Sequence, residues 1–207
     1  MKFLWISGWA VPPVWLAAQA RAVWPGAEHE ACSPSEAAKA IVDKKFHVLG
    51  GYSLGALCVL QEAGKVPKNT PVILLAPIFA FTAEQDCGGR VARAQLRLQR
   101  RRLRTNPRAA LEDFSRRSGL NELFPIVGEP KPETIPALDE ELGWLETWRA
   151  TPPANKNWQG FVGGQDPLLD ATALKKIWPE LHIVADATHA PKELMQAARK
   201  IFLDNKQ

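Results

Sequence analysis

Cysteine is scarce in this chain: Cys32, Cys58 and Cys87 are the only three among 207 residues. A sparse, odd set excludes a disulfide framework and points to a reducing compartment, so the cytoplasm is the expected location. No Cys-x-x-Cys pair and no clustered Cys/His pattern is present, so neither a metal nor a cofactor is expected. No apolar run reaches the roughly 18–20 residues of a membrane-spanning helix, so no membrane partner is expected. Acids are nearly missing from one stretch. Between Arg90 and Ser118 only Glu112 and Asp113 oppose ten arginines, a local charge of +8 in a chain whose net charge is +4.

What is present describes an ordinary folded chain. Hydrophobic residues make up 46% and charged residues 23%, a balance that excludes disorder. The length suits one domain, or a core carrying a small insertion. The N-terminus has the outline of a secretion signal: Met1-Lys2, an apolar stretch, then Ala18-Gln19-Ala20. Gly8, Pro12 and Pro13 interrupt it, and Trp5, Trp9 and Trp15 are foreign to such a segment. Phe3-Leu4-Trp5-Ile6 reads instead as a buried parallel strand.

The chain is organised around Phe46-His47-Val48-Leu49-Gly50-Gly51-Tyr52-Ser53-Leu54-Gly55. A short apolar run enters a glycine-flanked turn, and Ala56–Ala63 then reads as a helix. Strand, sharp turn and helix are the setting in which Gly-x-Ser-x-Gly presents a nucleophilic serine. Gly51 and Gly55 mark places where a Cβ would collide with a neighbouring strand or helix. Ser53 is therefore the candidate nucleophile, and its partners are sought downstream in the order acid, then histidine.

Strands and helices alternate on either side of this turn. Strands are expected at Lys2–Ser7, Phe46–Gly51, Pro71–Ala76, Trp158–Val162 and Leu181–Ala185. Helices are expected at Val14–Val23, from Ser33 to about Lys44, at Leu54–Ala63, Thr172–Trp178 and Pro191–Leu203. Ala27–Cys32 shows no clear pattern. Ser33-Pro34-Ser35-Glu36 is a capping box. The alternation predicts an α/β fold built on a mostly parallel sheet with right-handed crossovers.

From about Phe79 to Pro153 the strand signal lapses. The expectation is a core of residues 1–78 and 154–207, with 79–153 as a helical, arginine-rich lid over the sheet's C-terminal edge. Arg90, Arg93, Arg97, Arg100 and Arg104 recur at helical spacing and form a stripe. Stacked like charges repel, so the stripe needs acids to meet it. Those acids lie elsewhere in the fold, or on a partner that docks on the stripe and on neighbouring Arg101.

The late strands supply the missing partners. Trp158–Val162 ends in Gly163-Gly164-Gln165-Asp166, which puts Asp166 at the strand's C-terminal edge. Leu181–Ala185 leads into Asp186-Ala187-Thr188-His189, which puts His189 on a strand-to-helix loop at the same edge. Ser53, Asp166 and His189 thus stand in the order this fold uses. Asp166 can orient His189, and His189 can take and return the proton of Ser53. His29, His47 and His182, and the acids Asp170 and Asp186, are placed less well. Oxyanion donors are expected from the main chain of Leu54 and of Trp9. Trp9, Tyr52 and Leu168 are expected to line the substrate site.

At these residues the chain resembles the α/β-hydrolase superfamily over nearly its whole length. Ser7-Gly8-Trp9-Ala10, Gly51-Tyr52-Ser53-Leu54-Gly55-Ala56-Leu57 and Gly164-Gln165-Asp166 look most like the esterases of biotin synthesis. Those enzymes cleave the methyl ester of pimeloyl-acyl-carrier protein, and arginines of their helical lid grip the acidic carrier. The resemblance implies an α/β-hydrolase fold and serine carboxylesterase activity, with Ser53, Asp166 and His189 as the triad and Trp9 and Leu54 as oxyanion donors. It implies docking of an acyl-carrier protein on arginines of the lid. Three departures stand out. Ser7 replaces the family's usual histidine, Tyr52 replaces tryptophan before the nucleophile, and the first strand matches what is normally the third, leaving about six. A general acyl hydrolase or thioesterase is the alternative, and a nucleic-acid-binding module a remote one. The arginines do not interleave with aromatics as the last would require.

Overall fold

The structure, a computed structural model, describes residues 1–120 and 130–204. Part of the expected lid, residues 121–129, lies outside the described residues. Six strands form one sheet: β1 (Lys2–Ile6), β2 (Glu28–Cys32), β3 (Val48–Tyr52), β4 (Val72–Leu75), β5 (Trp158–Gly163) and β6 (His182–Val184). Their spatial order is β2-β1-β3-β4-β5-β6, and every neighbouring pair is parallel. Among the described residues the α-helices are α1 (Pro13–Val23), α2 (Ala37–Asp43), α3 (Leu54–Gln61), α4 (Arg93–Thr105), α5 (Pro107–Arg117), α6 (Ile135–Thr147), α7 (Ala171–Ile177) and α8 (Pro191–Asp204).

The central strands are buried because helices cover both faces of the sheet. Phe3, Trp5 and Ile6 of β1 and Leu74 and Leu75 of β4 have no exposed surface, as near-continuous apolar strands of a parallel sheet require. The strand in Glu28–Cys32 has no such apolar run, which is why the sequence pattern there is blank. As an edge strand it carries charge instead. Lys2 of β1 bridges Glu28 at 3.3 Å and Glu30 at 2.6 Å. The capping box at Ser33 forms, its N–H donating to Glu36 Oε2 at 3.0 Å. It opens a 3-10 turn, Pro34–Glu36, that runs into α2.

The strand order reverses beside β1: β2 lies to one side of it and β3 to the other. Ligands of open α/β sheets bind at such a switch point, outside the carboxyl ends of the strands. Here those ends lead into the Ser7–Pro12 loop and into Ser53. Between β4 and β5 the chain builds α4, α5 and α6, with α4 packed against both of the others. Leu96 and Leu103 of α4 and Leu142 and Leu145 of α6 form its interior. An isolated bridge, Gly89 to Leu169, ties this insertion to the loop after β5. Among the described residues no helix is long and apolar enough to cross a membrane.

Candidate active site

Ser53 sits between β3 and α3 with φ 53° and ψ −117°, a left-handed φ that a side chain tolerates only under constraint. The constraint is close packing. A Cβ on Gly55 would lie 2.1 Å from the Ile6 carbonyl oxygen, and one on Gly51 would lie 2.7 Å from Ala56 Cα. Both positions therefore need glycine, and the turn between them cannot relax. It also holds the serine hydroxyl clear of the main chain, at the start of α3.

Three side chains remote in sequence form one hydrogen-bonded chain here. Ser53 Oγ lies 3.0 Å from His189 Nε2, and His189 Nδ1 lies 2.7 Å from Asp166 Oδ2. His189 and Asp166 are each 1% exposed and Ser53 is 7% exposed. The second oxygen of Asp166 accepts the N–H groups of Leu168, at 2.8 Å, and Leu169, at 3.1 Å. That fixes the carboxylate's rotation and leaves Oδ2 for the imidazole. A carboxylate only accepts, so Nδ1 carries the histidine proton and Nε2 presents its lone pair to the serine O–H.

Two further residues hold this chain in place, and sequence spacing shows neither role. The Tyr52 hydroxyl donates to the His189 carbonyl at 3.0 Å. Burial first, and the nearby Asp166 charge second, push that phenol well above its usual range, so it remains a donor. Arg90 donates from Nη1 to the Asp166 carbonyl at 3.0 Å and lies 3.7 Å from the Asp170 carboxylate. This corrects the expected stripe at its start. Helix α4 begins only at Arg93, because Gly88 has a positive φ and Val91 is held in a bridge to Thr82. Arg90 therefore precedes the helix and reaches the acid's loop.

The loop after β1 abuts Ser53. A Cβ on Gly8 would lie 3.4 Å from Ser53 Cβ. Ser7 Oγ donates to the Val11 carbonyl at 2.7 Å, and Ala10 takes a φ of 55°, which folds the loop tightly. The buried Trp9 indole donates to the Leu138 carbonyl of α6 at 2.9 Å, and its ring meets Phe114 of α5 edge-on at 4.5 Å. Leu54 opens α3, so its N–H has no acceptor within the helix. Leu168 is 4% exposed, and its main-chain N–H serves Asp166.

The arginines expected to dock a carrier meet acids of α6. Arg97 pairs with Glu146 at 2.7 Å. Arg100 pairs with Asp139 at 3.1 Å and Glu146 at 3.7 Å, and Arg104 pairs with Asp139 at 2.6 Å. Arg93 buries its Nε without a hydrogen-bond partner among the described residues, while Arg101 is exposed. Arg97, Arg100, Arg101 and Arg104 still line a surface cleft of about 340 Å³. Among the described residues no cluster of His, Cys, Asp and Glu is arranged to hold a metal ion.

No protein-family model matches the sequence, and no curated protein matches it. Solved structures do match. BioG from Haemophilus influenzae aligns with a TM-score of 0.64 at 13% identity, covering 95% of this chain and 90% of that one. The esterase EaEST from Exiguobacterium antarcticum aligns with a TM-score of 0.73 at 10% identity, covering 99% and 90%. A thermophilic esterase from Thermogutta terrifontis gives 0.69 at 15% identity, covering 99% and 90%. The chain has the α/β-hydrolase fold.

Proposed function

We propose that the protein is a serine hydrolase acting on carboxylic esters. The observation that carries this reading is the buried Ser53–His189–Asp166 hydrogen-bond chain at the sheet's switch point. As Ser53 Oγ attacks the ester carbonyl, its proton passes to His189 Nε2, and Asp166 stabilises the imidazolium that forms. His189 then protonates the departing alcohol, leaving an acyl-Ser53 ester. Water, deprotonated by His189, attacks that ester, releases the acid and regenerates Ser53. The main-chain N–H groups of Leu54 and Trp9 serve the tetrahedral oxyanion. One such donor is typically worth about 2.7–4 kcal/mol in the transition state.

The substrate we infer is the methyl ester of a pimeloyl chain on acyl-carrier protein, with α4 to α6 as its lid. Its support is the resemblance of the three active-site motifs, the fold shared with BioG, and an arginine-lined cleft facing solvent. The pairing of Arg97, Arg100 and Arg104 with α6 favours a second reading, a small-ester or thioester hydrolase whose stripe is structural.

Arg101 separates the two readings, because it lies in the cleft and belongs to none of the α6 ion pairs described above. Under the carrier reading, Arg101→Glu raises KM for the carrier-bound methyl ester several-fold and leaves p-nitrophenyl butyrate hydrolysis unchanged. Equal effects on both substrates, or none on either, reject carrier docking. Complementation of a strain lacking its pimeloyl-ester esterase, with Ser53→Ala as control, tests the pathway assignment.

A further inference from the structure

The acids of α6 divide by face. Asp139 and Glu146 turn to α4 and take its arginines. Glu141 turns the other way, is 3% exposed, and faces the main chain of Ser35. No positive charge among the described residues offsets it, and the charge that most affects it is that of Glu140. A buried carboxyl without a counter-charge costs stability, and a glutamine would fill the same space without that cost. What the fold does not explain, a ligand can.

A cavity of about 500 Å³ opens in front of this carboxyl, bounded by α6, the loop after β1 and the Ser33–Ser35 turn. That volume is ligand-sized. Val11, Pro12, Pro13, Pro34, Leu111 and Leu138 give it apolar walls. Gly8 and Ala10, on either side of Trp9, also line it, and Gly8 is the residue that abuts Ser53. Lys131 and Glu133 also line it. An apolar space bordering the oxyanion loop, with a buried carboxyl in its wall, suits a chain with a polar tip.

The kind of tip follows from the acid's state. Burial pushes the Glu141 carboxyl up to about 7, so both protonation forms are present near neutrality, and both offer an acceptor oxygen. A cation would need the ionised form and would itself be stripped of water between prolines and leucines. A hydroxyl or amide N–H needs neither. We propose that Glu141 is the specificity-determining group of a subsite beside the oxyanion loop, accepting a hydrogen bond from an uncharged donor at the far end of an apolar substrate chain. The proposal deepens the esterase reading and rests on it for turnover, but not for binding.

Titration calorimetry on the Ser53→Ala protein tests it without turnover. Methyl 8-hydroxyoctanoate is compared with its isostere methyl nonanoate, and the reversed esters 8-hydroxyoctyl acetate and nonyl acetate are compared likewise. Methyl 8-acetamidooctanoate supplies the amide donor and methyl 8-aminooctanoate the cation. The expected result is at least ~10-fold tighter binding of the uncharged donor in one pair. Adding Glu141→Leu brings that pair to parity, while Glu141→Gln, which keeps an acceptor, preserves the preference. Circular dichroism checks that each variant is folded. Equal affinity within both pairs, a preference that survives Glu141→Leu, or tightest binding of the ammonium ester overturns the proposal, and the first and last of these need no Glu141 variant. With Ser53 intact, kcat/KM should follow the same preference. Binding preference without turnover counts against the esterase reading and leaves the Glu141 assignment standing.

Discussion

A φ of 53° at Ser53 and two glycines that tolerate no Cβ make the Ser53 turn a rigid device. Each member of the chain it anchors has its own expected loss. Ser53→Ala should lower kcat for p-nitrophenyl butyrate by about 10,000-fold or more with the fold unchanged in circular dichroism. Asp166→Asn should cost a comparable factor, because an amide at Oδ2 permits the wrong imidazole tautomer. Tyr52→Phe keeps the ring and removes the donor to the His189 carbonyl. It should cost about 1–3 kcal/mol in urea denaturation, the penalty for a buried acceptor left unpaired. It should also lower kcat more than it changes KM. Ser53, Asp166 and His189 are legible in the sequence because chemistry demands those side chains in that order at three strand ends. Tyr52 and Arg90 are not, since their partners are main-chain carbonyls, which carry no residue signature. Glu141 escapes for a related reason: nothing in its helix tells which of four acids faces inward.

At the scale of elements, the repulsion within α4 is answered by α6, whose acids come 35 to 49 residues later in the chain. Helical spacing reveals the stripe, but not the element that meets it, because that depends on how two helices pack. Asp139 takes two arginines at once, Arg100 and Arg104, which stand four residues apart and repel without it. Asp139→Asn should therefore lower stability by about 1 kcal/mol in low salt. The difference should shrink in 0.5 M salt as screening weakens both the attraction and the repulsion. Denaturant melts at the two salt concentrations measure it. The edge strand β2 shows a parallel limit of pattern reading. Glu28, Glu30 and the surrounding lysines keep that edge charged, so the strand has neither an apolar run nor strict alternation. Buried β1, β3 and β4 read clearly because burial on both faces demands apolar residues throughout.

Across the whole molecule, two buried groups tilt stability with pH in opposite directions. His29 Nδ1 accepts the Trp5 indole at 3.2 Å, and its Nε2 bonds the Trp24 carbonyl at 3.0 Å, so the fold needs the neutral ring. Burial holds its pKa below 6.5, and the unfolded chain takes the proton more readily. Stability from this residue is whole above pH 6.5 and declines as pH falls below it. Glu141 runs the other way: its folded value is about 7 against 4.5 unfolded. Its contribution is whole below pH 4.5, declines as pH rises, and is lost above about 7, at a cost of about 3 kcal/mol by pH 8. Glu141→Gln should remove that alkaline decline in thermal melts from pH 5 to 8. Alternating strand and helix patterns foreshadow the parallel sheet, and the parallel run of β3, β5 and β6 brings their carboxyl ends to one edge and turns three scattered residues into neighbours: Ser53 and His189 are 136 positions apart yet 3.0 Å in contact. Reaction with a fluorophosphonate ester, read by intact mass and peptide mapping, tests that convergence most directly. The account predicts a single stoichiometric phosphonyl adduct on Ser53 that forms at least ~1,000-fold more slowly in His189→Ala. An adduct elsewhere, no adduct at all, or an unchanged rate in that variant would contradict it.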